Sequence, residues 1–217
     1  MPEPPGGARH SLLTDTRMVA ACLCLFALSA HLGGVASYVG GAALAGAAAA
    51  VVVSLSRSAA PHAVLGLGAW TGWMAGWACI ATAAGMALGI AYRHASELSV
   101  WPESFTGFAV VAAAIGATEE LVYRGYVQGR LAAWGAPIAI VGAAFAHTAY
   151  KAALFLGGPS GAHAHYLFAA LVTFVGGLAL GALRWWTWSI VPPVAFHVAF
   201  DIVVYGDRAE APWWVWA

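Results

Sequence analysis

Charge is what this sequence has least of: only 8% of its 217 residues are Asp, Glu, Lys or Arg, nine basic and nine acidic side chains that cancel to a net charge of zero. An ordinary soluble domain carries about 25% charged residues, so so few charges cannot cover a folded chain of this length, and a water-soluble monomer is excluded. The lack of a basic face excludes nucleic acid as a partner. Cysteine is scarce as well. Cys22, Cys24 and Cys79 lie in apolar runs without CxxC spacing, which argues for buried small hydrophobes rather than a disulfide framework or a cysteine zinc site. There is no HExxH helix and no internal repeat of the kind common in transporters. What is abundant is apolar: 62% of residues are hydrophobic, with a mean hydropathy of +0.79.

A span needs roughly 20 apolar residues to cross about 30 Å of hydrocarbon, and the chain holds about seven such stretches, with six to eight as the bounds. The expected fold is an all-α polytopic transmembrane helix bundle. Residues 1–17 are polar and rich in Pro and Gly and read as a disordered cytoplasmic tail. Residues 18–205 form one transmembrane domain, and 206–217 a Trp-rich C-terminal tail. From Met18 to Ser56 two helices fit, with Gly33, Gly34, Gly40 and Gly41 available for a reversal. One long or tilted helix is predicted from His62 to Tyr92. Others follow at Phe105–Trp134, at Pro137–Leu156 with a stop at Gly157, Gly158 and Pro159, at His165–Leu183, and at Ile190–Tyr205. With the N-terminus inside, Arg9, Arg17, Arg57, Arg124, Arg130 and Arg184 fall on the inner side and only Arg93 and Arg208 outside, as cytoplasmic loops require. Glycines at four-residue spacing (Gly68, Gly72 and Gly76; Gly85 and Gly89; Gly177 and Gly181) predict close helix packing. The patches Trp185, Trp186, Trp188 and Trp213, Trp214, Trp216 mark the two membrane interfaces.

The informative residues are ionisable groups inside the last four spans, where a central Asp, Lys or Arg costs roughly 2.5 to 3.5 kcal/mol. They are Glu119, Glu120 and Arg124, then His147 and Lys151, then His197 and Asp201. Glu120 and Arg124 are about 40° apart on a helical wheel and form a natural pair, whereas Glu119 lies about 140° from Arg124 and is the freer carboxylate. Glu119, His147 and His197 all lie roughly 7 to 15 Å from the inner boundary at about 1.5 Å per residue, so one polar cavity can collect them. Each residue alone is explained as a satisfied polar group or a register-fixing pair; the three at matched depth are not. Lys151 shares a face with His147 but is expected to snorkel toward the outer interface.

At these residues the sequence resembles the CPBP family of intramembrane proteases, which includes the type II CAAX prenyl endopeptidases and bacteriocin-processing or self-immunity proteins. Glu119-Glu120-x-x-x-Arg124 matches the family's EExxxR, His147 takes the place of its second-motif histidine, and His197-x-x-x-Asp201 corresponds to HxxxN/D. The resemblance covers about residues 105–205. Two positions depart from it: Ala143 stands four residues before His147 where the family usually has Phe, with Phe145 two before, and Asp201 stands where the prenyl proteases have Asn. An Asn amide can donate to an oxyanion and an ionised Asp cannot. Asp201 is therefore protonated, or orients His197, or helps bind a cation.

The resemblance implies an intramembrane endopeptidase with catalytic residues Glu119, His147, His197 and Asp201, supported by Glu120 and Arg124. Glu119, helped by His147, would activate a water, and His197 with Asp201 would stabilise the oxyanion. No cofactor is favoured. A zinc-dependent mechanism, with Glu119, His147, His197 and Asp201 as ligands, is the second choice within the enzyme reading. The rivals are a non-catalytic membrane scaffold or immunity protein using the same polar network, and a small proton or ion carrier. Expected partners are the lipid bilayer and a membrane-anchored peptide or protein substrate. The expected location is a bacterial plasma membrane with the N-terminus cytoplasmic.

Overall fold

The computed structural model describes residues 6–29, 35–68, 70–155 and 163–207. Helices α1 (Gly6–Ser29) and α2 (Val35–Ser56) pair with each other, followed by the short α3 (Pro61–Leu65) and the long α4 (Gly72–Ala95). Then comes one continuous helical rod that changes pitch: α5 (Gly107–Glu120), a π segment Leu121–Val127, α6 (Gln128–Leu131) and a 3-10 turn Ala132–Trp134. Helices α7 (Ala136–Phe155), α8 (His163–Thr187) and α9 (Val191–Tyr205) complete the bundle. Among the described residues there are no strands, and four helices are long and apolar enough to cross a membrane: α1, α2, α4 and α8. The protein is an all-α membrane helix bundle. The rod and α7 carry the ionisable groups, and α9 is short, so the helices that build the interior are the less apolar or shorter ones.

Four sequence expectations are corrected. The chain is already helical from Gly6, so most of the stretch read as a disordered tail is the first turns of α1; Leu12 and Leu13 continue the apolar character outward, and the Thr16 hydroxyl donates to the Leu12 carbonyl. Gly40 and Gly41 lie inside α2 rather than in a reversal; Gly33 and Gly34 fall outside the described residues, as do the Gly157–Gly158–Pro159 stop and Trp213, Trp214 and Trp216. The run from His62 to Tyr92 is not one helix. It breaks because Gly66 adopts φ +70°, a left-handed cap that closes α3, and Thr71 caps the start of α4 by accepting from the Met74 amide. Finally, Gly68, Gly72 and Gly76 face open space among the described residues, so this stripe brings no described helix close.

The other glycine stripes do bring helices together. A Cβ at Gly85 would strike the Phe196 carbonyl, and one at Gly89 would lie 2.9 Å from Val203 Cβ, so α4 and α9 are in near-backbone contact. Gly177 and Gly181 of α8 face Ala144 and Ile140 of α7 in the same way. Phe196 cannot move without shifting His197, so Gly85→Val is expected to lower stability by about 3 kcal/mol, read as the thermal midpoint in detergent.

The two ends of the bundle are held by arginines that donate to carbonyls. At one end Arg130 reaches the Ser54 carbonyl and Arg184 reaches that of Val64 at 2.9 Å. At the other, buried Arg93 donates to the Ser99, Val203 and Val204 carbonyls and pairs with Asp207 at 2.6 Å. That hydrogen bond holds the Asp207 carboxyl below its ordinary pKa. Arg130 and Arg184 thus gather at the end opposite Arg93, the same partition that the loop charges give.

Candidate active site

Helix α5 ends on Glu119 and Glu120, both buried. The backbone then widens into the π segment, an i→i+5 ladder of the sort found most often at functional sites, along which Tyr123, Arg124, Gly125, Tyr126 and Val127 are all buried. Neighbouring residues on a helix point about 100° apart, and the two acids accordingly find separate partners. Glu120 Oε1 accepts from Arg124 Nη1 at 2.9 Å and from His197 Nδ1 at 2.9 Å. Glu119 Oε2 lies 3.2 Å from His147 Nε2 and 3.8 Å from His197 Nε2, while its Oε1 is ion-paired with Lys151.

Donor chemistry fixes the state of His147. A guanidinium has no acceptor, and Arg124 Nη1 lies 3.0 Å from His147 Nδ1, so that nitrogen offers its lone pair. The ring proton therefore sits on Nε2 and is donated to Glu119. Tyr123 stacks on the imidazole with centroids 4.6 Å apart and 29° between planes, holding the ring against rotation. Small residues make room for the guanidinium: a Cβ at Gly177 would lie 3.2 Å from Arg124 Nη2.

His197 works the other way round. Its Nδ1 proton is donated to Glu120, and its Nε2 stands 3.8 Å from both Glu119 Oε2 and Asp201 Oδ2, beyond hydrogen-bond reach of either. With 18% of its side chain exposed against 5% for His147, it is the more accessible ring. The two imidazole centroids are 6.5 Å apart. Gly116 admits α9 here, because a Cβ would meet the Asp201 carboxylate and lie 3.0 Å from His197 Cδ2. Three carboxylates (Glu119, Glu120, Asp201) face two permanent cations (Arg124, Lys151), so one proton held on His197 or Asp201 makes the cluster neutral, as burial demands.

Residues 101–203 match the family described as Type II CAAX prenyl endopeptidase Rce1-like. Over this stretch the chain is similar to that family. The match spans every residue of the cluster, from Glu119 to Asp201, and supports the resemblance to CPBP intramembrane proteases. No curated protein and no solved structure matches the chain. Likeness to a CAAX-type endopeptidase family makes peptide hydrolysis within a membrane the chemistry against which the geometry is read.

The structure brings Glu119, Glu120, Arg124, His147, His197 and Asp201 into one network drawn from the rod, α7 and α9. Two expectations change. Glu119 is not the freer carboxylate, since both oxygens are engaged, and Lys151 does not snorkel: it turns inward, four residues after His147, because the buried Glu119 carboxylate is a better partner than the interface. Phe145, 68% exposed, does not replace the Phe that the family usually carries; buried Ala143 stays small, and Tyr123 from the rod packs the imidazole instead. Tyr123 and Gly116 were missed in the sequence, though both lie one turn from Glu119 or Glu120. Gln128, buried and donating to the Gly181 carbonyl at 2.8 Å, was missed with them.

The zinc alternative would take Glu119, His147, His197 and Asp201 as ligands. A ligating imidazole needs a lone pair toward the metal, and the only one on His147 is turned to Arg124. Among the described residues no group of three or more His, Cys, Asp or Glu is disposed to hold a metal ion.

Proposed function

We propose that this chain is a glutamate-dependent intramembrane endopeptidase that hydrolyses a peptide bond in a membrane-anchored peptide near the inner face of a bacterial plasma membrane, its N-terminus cytoplasmic. The observation that carries the reading is that a buried carboxylate oxygen, Glu119 Oε2, accepts from His147 Nε2 at 3.2 Å with His197 Nε2 standing 3.8 Å away.

In this mechanism Glu119 takes a proton from a water molecule as its oxygen attacks the peptide carbonyl. The tetrahedral oxyanion accepts a hydrogen bond from a proton on His197 Nε2, whose charge is balanced by Glu120 on the far side of the ring and by Asp201 beside it. The C–N bond then breaks and the departing amine receives the proton held by Glu119. His147 donates from Nε2 to Glu119 throughout, orienting the carboxylate and easing its change of charge. Glu120 and Arg124 hold both imidazoles in the required tautomers. Asp201, 3.8 Å from His197 Nε2, acts on the ring through its charge, which an Asn would not supply.

The chain reconstituted in vesicles with a lipid-anchored peptide is expected to cleave it at an undiminished rate in the presence of a strong zinc chelator. Loss of cleavage by chelation, restored by adding zinc, would overturn the metal-independent mechanism. Failure to cleave any anchored peptide, with C-terminal peptides of membrane proteins identical in cells with and without the chain, would favour a scaffold.

A further inference from the structure

Lys151 is the only lysine in the sequence, beside eight arginines, and its ammonium is spent on the carboxylate at the centre of the site. It stands four residues after His147 on α7, so both side chains enter the same seam. Their work on Glu119 is divided by oxygen: Lys151 pairs with Oε1, and Oε2 is left to the two imidazoles. The other cation of the cluster is turned elsewhere, since Arg124 Nη1 serves both Glu120 and His147. Without Lys151 the site would hold three carboxylates against one permanent cation, and the Glu119 carboxylate would be held on its imidazole side alone. A snorkelling lysine would do neither of these things.

We infer that Lys151 is a positioning residue for Glu119, holding Oε1 so that Oε2 faces the imidazoles and the bond to be cleaved. The role rests on the reading of Glu119 as the base in peptide hydrolysis. Lys151 touches no reacting atom; it fixes the plane in which the carboxylate meets the imidazoles. With 20% of its side chain exposed, it is also reachable by reagents from outside.

Two measurements test this, one of them independent of catalysis. Reductive methylation with labelled formaldehyde leaves the charge in place and tags Lys151 as the single side-chain dimethylamine of the chain. Its carbon resonance is expected to differ between the native chain and the Glu119→Gln variant. An identical resonance in the two would overturn the pairing, whether or not the chain is a protease. In the activity assay Lys151→Met is expected to lower kcat by about a hundredfold, the scale of a misplaced catalytic group, with KM unchanged within about twofold and Lys151→Arg recovering most of the loss. Full activity in Lys151→Met, a loss confined to KM, or no recovery in Lys151→Arg would overturn the positioning role. A resonance that responds to Glu119 in a chain that cleaves nothing would sink the protease reading alone and leave the ion pair standing.

Discussion

Peptide hydrolysis is expected to fall by about 10²- to 10⁴-fold on replacing Glu119 by Gln, the contribution typical of a positioned general base, with the helical content and thermal midpoint close to native. The amide keeps the shape of the carboxylate and one carbonyl oxygen that can still accept from His147, but it cannot take a proton from water. Its other end would place an NH₂ against the Lys151 ammonium, two donors face to face, so a modest stability change is also expected. The measurement is cleavage of an anchored peptide in vesicles alongside a melting curve of the same preparation. Native activity in a folded Glu119→Gln variant would be incompatible with the mechanism.

The largest loss of stability is expected from Arg124→Met. One nitrogen of this guanidinium contacts both Glu120 Oε1 and His147 Nδ1, so its removal leaves a buried carboxylate with His197 as its remaining partner and releases the His147 tautomer together. Breaking a buried pair from one side costs about 3 to 5 kcal/mol, and the loss is to be read from chemical unfolding in detergent. Replacing both partners, Arg124→Met with Glu120→Gln, is expected to return part of that stability without activity, because the isolated charge is gone while His147 remains unfixed. A single variant as stable as the native chain would show that the hydrogen bond from His197 alone satisfies Glu120.

How much of this could be read from residues alone differs from group to group. The Glu120–Arg124 pair was legible because four-residue spacing is a property of helices in general. The gathering of Glu119, His147 and His197 was legible from depth, since each costs too much within a membrane to lie there alone. Lys151 was misread because hydropathy weighs a cation by its distance to the interface and not by the anion it will meet, and that anion comes from a different helix. Tyr123 was passed over because a tyrosine in an apolar run looks like core, and only the packing of the rod on α7 puts it over an imidazole. The break after α3 lay in plain sight at Gly66, yet a left-handed glycine is distinguishable from a packing glycine only by its surroundings. The π segment had no signal in LVYRGYV at all: an extra residue per hydrogen-bonded turn is a choice of the backbone, imposed by what the turn must bury.

That wider coil limits how the site can be moved to another scaffold. A designer who grafts Glu-Glu-x-x-x-Arg onto a regular helix copies the letters and loses the phase, because an α ladder through residues 121–127 would rotate everything beyond it by roughly 100° per residue gained or lost. Gln128 would then turn away from the Gly181 carbonyl and Arg130 from that of Ser54, unfastening the lower half of the rod while the acids above stayed in place. The transferable unit is the motif together with its bulge and the two anchors below it.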